Sequence, residues 1–321
     1  MSTSPWYSFF VAWARAASTA PKTTSTLPDY GVAPDFAGIG HWLNTPGGKP
    51  LSLAALRGKV VLVDFWTYSC INCLRTLPHL KAWYRLYHKA GLVIVGVHTP
   101  EFAFEHELGN VTSAVHRLDV SWPVGLDNEY ATWNAYSNQY WPADYLVDRS
   151  GHVRAYHFGE GDYARTERQI RSLLGVDRPA ARAHVSEPTA ATTPETYLGP
   201  ERLDASRYVG SRLVVGRPHR FAEARTIPQN QFSYSGTWTL AGQAATAGAD
   251  AEIAVHFHAS KVYVVLAGRG RVTAMLGRVG EAAIDVRGAR LYTVFAAPRP
   301  HDGVLRLRVS PGVRAYSFTF G

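Results

Sequence analysis

The chain has two cysteines in 321 residues, and both stand in one stretch, Cys70-Ile71-Asn72-Cys73, directly after the run Val60-Val61-Leu62-Val63-Asp64-Phe65-Trp66. Two thiols at this spacing and in this place constrain the local fold. The preceding run is apolar and β-branched with no alternation, as a strand buried on both faces requires. After it, Leu74, Leu77, Leu80, Trp83, Tyr84 and Tyr87 recur at helical spacing, which predicts a helix over Leu74–Lys89. The thiols therefore fall at a strand-to-helix turn. Unpaired N–H groups and partial positive charge at a helix N-terminus favour a thiolate at Cys70. Once Cys70 has attacked a disulfide, Cys73 is close enough to resolve the mixed disulfide.

From about Pro34 to Leu174, strand-like runs alternate with helical periods, the pattern of an α/β layer fold. The runs are Val60–Trp66, Leu92–Thr99, Trp122–Leu126, Ala143–Asp148 and His152–Phe158, with helices over Leu74–Lys89, Phe102–Leu118 and Asp162–Leu174. Asp148-Arg149-Ser150-Gly151 has the composition of a hairpin turn. The texture then changes to Pro, Ala and Thr without period, which reads as a linker. Beyond it, Ile253–His258, Lys261–Leu266, Val272–Leu276, Leu291–Phe295, Val304–Val309 and Arg314–Phe320 are short β-like runs between turns. Such spacing predicts an all-β sandwich, jelly-roll-like in outline. The divisions are a tail or degenerate signal over 1–33, an α/β domain over 34–175, a linker over 176–200 and the sandwich over 201–321. Trp6 to Ala14 followed by Ala16, Ala17 and Ala20 loosely resembles the end of a secretory signal but lacks a basic start.

Bulk properties exclude some classes. Hydrophobic residues make up 46%, enough for a core in each domain. The net charge of +8 comes from scattered arginines rather than a basic run, so nucleic acid is not an expected partner. No stretch of about eighteen apolar residues suits a membrane span. A zinc site would need a second Cys pair or a His-x₃-His pattern, and neither occurs, so no metal is expected. A static disulfide closing so small a loop adds little stability. Two alternatives to redox exchange stay open. Thr67, three residues before Cys70, stands as in peroxiredoxins, although Val63 replaces the proline expected four residues earlier. The other alternative is a binding module that keeps an idle first domain.

Val63-Asp64-Phe65-Trp66, with Cys70 six residues after Asp64 and Pro78 five after Cys73, resembles the thioredoxin active-site segment. Trp141-Pro142 stands where that superfamily keeps its cis-proline loop. The longer stretches Trp66–Cys73, Gly96–Glu101 and Phe158–Tyr163 resemble the C-terminal part of DipZ proteins, itself similar to TlpA and ResA thioredoxins. Thr193–Gly199 and Tyr316–Gly321 extend the resemblance to the last DipZ domain, a sandwich like a carbohydrate-binding module. The resemblance runs from about Pro34 to Gly321 and leaves out the DipZ membrane domain. It implies a thioredoxin-like thiol–disulfide oxidoreductase that needs no cofactor beyond the redox-active disulfide Cys70–Cys73. It further implies protein disulfide substrates, an upstream electron donor such as a membrane CcdA-type protein, and a location in the periplasm or cell envelope. A cytoplasmic location is the alternative, and oxidation or isomerisation remains open beside reduction.

The same resemblance gives roles to individual residues. Cys70 is the nucleophile and Cys73 the resolving thiol. Asp64, buried beneath them on a strand, has a pKa raised by desolvation and shuttles the proton of Cys73. Trp66 is expected either as a platform beside Cys70 or as a plain core tryptophan. A cis bond before Pro142 turns the Trp141 backbone toward the thiols to pair with an extended substrate, and Trp141 walls the groove. Glu101 and Glu160 follow strands and act either as proton buffers or as plain surface carboxylates. In the sandwich, Tyr234, Trp238 and Tyr263 suit either sugar stacking or a core, and a glycan ligand is the implied partner. His256 and His258 share one strand face.

Overall fold

The computed structural model describes residues 27–177, 192–277 and 279–321. Residues 1–26 of the expected tail or signal over 1–33, and 178–191 of the expected linker, lie outside the described residues. Within them, the first domain is a six-stranded sheet in the order β1-β4-β3-β2-β5-β6. Its strands are β1 His41–Leu43, β2 Val60–Trp66, β3 Leu92–His98, β4 Val124–Leu126, β5 Ala143–Val147 and β6 Val153–Phe158. Helices α1 Ile71–Tyr87, α2 Leu108–Arg117, α3 Ala131–Ala135 and α4 Tyr163–Leu174 complete it. β2 runs parallel to β3 and antiparallel to β5, so it is the central strand its apolar run predicts.

Every residue of β2 is buried, and the pleat sorts them. Val61, Val63 and Phe65 join Val95, Trp133 and Tyr145 on one face. Val60, Leu62 and Trp66 join Cys73, Leu77, Leu80, Trp83 and Ile170 on the other. Asp64 has the same parity as Leu62 and Trp66, so the period of two places it on the face covered by α1.

Two boundaries differ from the sequence reading. Asp29 to Ala33 lie along the edge of β6, with Tyr30 N–H donating to Val153 O at 2.9 Å and His152 pairing with Asp29 at 2.9 Å. The first domain therefore begins before Pro34. Thr196–Tyr197, within the stretch read as linker, form strand β7 and pair with the last strand of the chain. The composition shift marks a change of texture, and backbone pairing begins before that texture ends.

The second domain contains β8 Pro218–Phe221, β9 Phe232–Ala241, β10 Ala244–Ala247, β11 Glu252–Ala267, β12 Arg269–Leu276, β13 Val279–Arg287, β14 Arg290–Val309 and β15 Arg314–Phe320. All pairings in this nine-stranded sheet are antiparallel. The sandwich is one sheet bent over itself. β11 pairs through Glu252–Val255 with β9 and through Val262–Ala267 with β15, with a register shift between Ala259 and Lys261. A bulge at that point turns one long strand from one layer into the other, and side chains of both halves bury into a single core.

The domains share packing as well as sequence. Tyr316, Ala244, Val265 and Ala267 of the second domain join the core cluster that contains Trp66 and Cys73. Tyr316 meets Phe102 and Phe104 edge-on at ring distances of 5.3 and 4.9 Å. Gln243 accepts the N–H of Ala103 at 2.8 Å.

Candidate active site

α1 starts at Ile71, three residues before the expected start, because Cys70 acts as its N-cap. The Cys70 backbone is extended, and its sulfur accepts the N–H of Cys73 at 3.5 Å. Ser, Thr, Asp and Asn are the usual caps, so a sulfur cap escapes composition rules. Both cysteines are free thiols; Cys70 is partly exposed and Cys73 buried. The geometry separates their roles, because a substrate sulfur can reach Cys70 while Cys73 waits one turn along the helix. Burial is the largest cause pushing the Cys73 thiol well above its ordinary pKa, and its contact with Cys70 adds to it.

Beneath the thiols lies a carboxylate pair. Asp64 is buried, and its cross-strand neighbour on β5 is Asp144, also buried. Burial raises the Asp64 pKa well above normal, with the Asp144 charge as a second cause, and burial alone raises that of Asp144. One oxygen of each carboxyl lacks a hydrogen-bond partner among the described residues. Like charges directly opposite on neighbouring strands repel, so the pair holds a proton more tightly than either carboxyl would in water. Asp64 is also among the charges that act on Cys73. Sequence reasoning missed Asp144, although a lone carboxylate inside the otherwise uncharged run Ala143–Val147 marks it.

The Trp141–Pro142 bond is cis. The Cys70 sulfur lies 4.0 Å from the carbonyl oxygen of Trp141. The Trp141 indole donates to Thr99 O at 3.1 Å and packs on Trp133 with ring centroids 4.3 Å apart. Trp66 does not serve as a platform. Its side chain is 1% exposed and packs inside the core cluster. The cause is on the next strand: Gly96 has no Cβ, and one there would come within 2.9 Å of the Trp66 indole nitrogen. Trp66 thus packs with Cys73 inside the core, as the core alternative expects.

Thr67, the residue a peroxidase would turn toward Cys70, is buried with its hydroxyl 3.3 Å from His98 Nε2. Burial lowers the His98 pKa to about 3, so its imidazole is neutral. The loop before Cys70 is held instead by Glu105, a fully buried carboxylate that sequence reading did not single out. One oxygen accepts the hydroxyl and N–H of Ser69 at 2.6 and 3.2 Å, and the other accepts the N–H groups of Glu101 and Phe102 at 2.7 and 3.0 Å. The expected helix Phe102–Leu118 breaks here into a 3-10 turn, Ala103–His106, whose start Glu105 caps, and α2, because the backbone of Glu107 between them is extended.

Glu101 and Glu160 are not plain surface carboxylates. Glu160 pairs with Arg75 at 2.8 Å, and Glu101 pairs with Arg202 of the second domain at 3.0 Å. Both line a cavity of about 350 Å³ beside Cys70, together with Asn72, Trp141, Tyr197 and Phe320. Arg75, Tyr197 and Arg202 carry no motif signal: Arg75 stands on α1 two residues after Cys73, and the docking of the second domain brings Tyr197 and Arg202 to the thiols. Among the described residues, no group of three or more His, Cys, Asp or Glu is placed to hold a metal ion.

In the second domain, Tyr234 and Trp238 are fully buried and Tyr263 sits beneath Arg75 at 5.9 Å, so the sugar-stacking reading loses its side chains. His256 Nε2 and His258 Nδ1 both face Asp302, at 3.1 and 3.7 Å.

Comparison with known proteins agrees with both halves of this description. The family model described as redoxin matches residues 17–174, and that of a thioredoxin-like C-terminal domain matches residues 193–321. The DipZ proteins of Mycobacterium bovis and Mycobacterium tuberculosis are each 44% identical to this chain over 306 residues, or 92% of it. That similarity runs through both of its domains. The chain spans 44% of the length of those DipZ proteins, and no helix among the described residues is long and apolar enough to cross a membrane. The thiol–disulfide oxidoreductase YkuV of Bacillus subtilis is 26% identical over 44% of this chain and 93% of its own length. A solved thiol:disulfide interchange protein of the thioredoxin family from Chlorobium tepidum aligns at 26% identity over 45% of this chain and 97% of its own, with a TM-score of 0.38.

Proposed function

We propose that the chain reduces protein disulfides outside the cytoplasm, drawing its electrons from an upstream dithiol donor such as a membrane carrier of the CcdA type. A redoxin domain with a free dithiol at a helix N-terminus is a thiol–disulfide oxidoreductase. The Cys70 thiolate attacks one sulfur of the substrate disulfide, that S–S bond breaks, and the departing thiolate takes a proton from solvent. Cys73 then gives its proton to the ionised member of the Asp64–Asp144 pair and attacks Cys70. The Cys70–Cys73 disulfide forms, and the second substrate thiol leaves. Two electrons move as thiol and disulfide, so the dithiol is its own redox centre and calls for no bound cofactor.

The observation that carries this reading is the division of the two thiols: Cys70 is open to the cleft as the helix cap, and Cys73 is buried on the face it shares with the carboxylates. Thr67 turned toward His98 disfavours the peroxidase alternative. Cys73→Ser tests the assignment. Mixed with a disulfide-bonded protein, this variant should accumulate a covalent complex through Cys70, whereas the unmodified protein releases reduced product. A Cys73→Ser variant that traps nothing would show that Cys70 is not the attacking thiol.

A further inference from the structure

Pro194, Glu195, Tyr197, Arg202, Thr319 and Phe320 of the second domain stand across the cavity from Cys70 and Trp141. They are fixed there. Arg75 joins Glu160 at 2.8 Å and the carbonyl oxygen of Phe320 at 3.2 Å. Arg202 joins Glu101 at 3.0 Å and lies 3.7 Å above the ring of Tyr197. Each cleft guanidinium is thus already matched by a carboxylate. Glu195 is different: its oxygen is 3.0 Å from the Tyr197 hydroxyl, and it has no ion-pair partner among the described residues. That hydroxyl is nearer to Glu101, at 2.7 Å. It has one proton to donate, so Glu195 keeps acceptor capacity. Glu195 is exposed as a residue, but burial of its carboxyl at the cleft wall, with the Glu101 charge as a second cause, raises its pKa from 4.5 to about 7, so it carries its full charge only above neutral pH. The cleft therefore holds three carboxylates against two guanidiniums, in a molecule whose net charge is +8.

We propose that Glu195 is a specificity residue contributed by the second domain, which receives a lysine or arginine side chain flanking the cysteine of the substrate disulfide. The proposal rests on the disulfide-reductase reading of Cys70 and adds the class of segment it prefers. A partly exposed carboxylate supplies discrimination more than tight binding, since a wrong-sign neighbour is repelled as well as a right-sign one attracted. Its effect belongs in KM, because the charge contact is the same before and during sulfur exchange, and it weakens as salt screens it.

The test uses the protein at about pH 8.5, where Glu195 is charged, with excess dithiothreitol to re-reduce Cys70–Cys73 and its uncatalysed rate subtracted, and three short peptides, each disulfide-linked to a fluorescent thiol and differing only in Lys, Gln or Glu beside the cysteine. The unmodified protein should show a kcat/KM for the Lys peptide about threefold or more above that for the Glu peptide at low salt, carried by KM. The ratio should fall toward one at about 0.5 M salt. Glu195→Gln should narrow the ratio, and Glu195→Lys should invert it. Equal rates for the Lys and Glu peptides, or a ratio unchanged in Glu195→Gln, would overturn the proposal. Turnover of the Gln peptide by the unmodified protein tests the reductase reading separately. Turnover there without a charge preference removes only the role of Glu195, whereas no turnover of any peptide overturns both.

Discussion

Replacing Glu105 with glutamine keeps the shape of the side chain that supports the Cys70 loop and removes its charge. Burial pushes the Glu105 pKa up from 4.5 to about 7, and the charge of Glu101 adds to the shift. A folded-state pKa above the unfolded one means that the folded protein binds the proton more tightly. The stability this gives is fully present below about pH 4.5 and is lost as pH rises through about 7. A shift of about 2.5 units corresponds to ~3 kcal/mol. Glutamine has its own cost. Its oxygen can serve the N–H groups of Glu101 and Phe102, and its amide group can donate to a reversed Ser69 hydroxyl, but the Ser69 N–H then loses its acceptor, at about 1 kcal/mol. Glu105→Gln should therefore be less stable than the unmodified protein by about 1 kcal/mol near pH 4 and more stable by about 2 kcal/mol near pH 8. Urea unfolding across this range measures the crossing. Two curves that stay parallel, with the variant weaker throughout, would refute the claim that a buried Glu105 proton contributes to stability.

Asp64→Asn removes the base beneath Cys73 and should slow resolution of the mixed disulfide about tenfold or more while leaving alkylation of Cys70 little changed; rapid-mixing kinetics that slow both steps alike would contradict it. Phe104→Ala opens the aromatic contact with Tyr316 at the domain junction and should cost ~3 kcal/mol, read as a lower calorimetric midpoint. Trp66→Phe should lower stability and leave KM for a peptide disulfide unchanged, because the indole is buried in the core rather than placed in the cleft.

The strand Val60–Trp66 was legible because a central strand buried on both faces leaves an unbroken apolar run, and the helix after it because its leucines and aromatics keep a 3.6 period. Other elements were hidden by local chemistry. Ile253–His258 and Lys261–Leu266 look like two strands, yet they are the halves of β11, since a bulge interrupts the pattern without ending the backbone pairing. Likewise, Leu291–Phe295 and Val304–Val309 both belong to β14, separated by the polar, proline-containing stretch that bulges between them. The cysteines could be found by spacing alone. Asp144 needed the register of β5 against β2, and Glu195 and Arg202 needed the docking of two domains, which no local pattern encodes.

The most direct test of the account is the redox equilibrium of the Cys70–Cys73 pair, measured by equilibrating the protein in thiol buffers of graded potential and quantifying free thiols. The account expects one reversible two-electron couple close to the thioredoxin value, about −270 mV. A couple near −120 mV would contradict the reducing direction, and the absence of any reversible disulfide between the two cysteines would contradict the account as a whole.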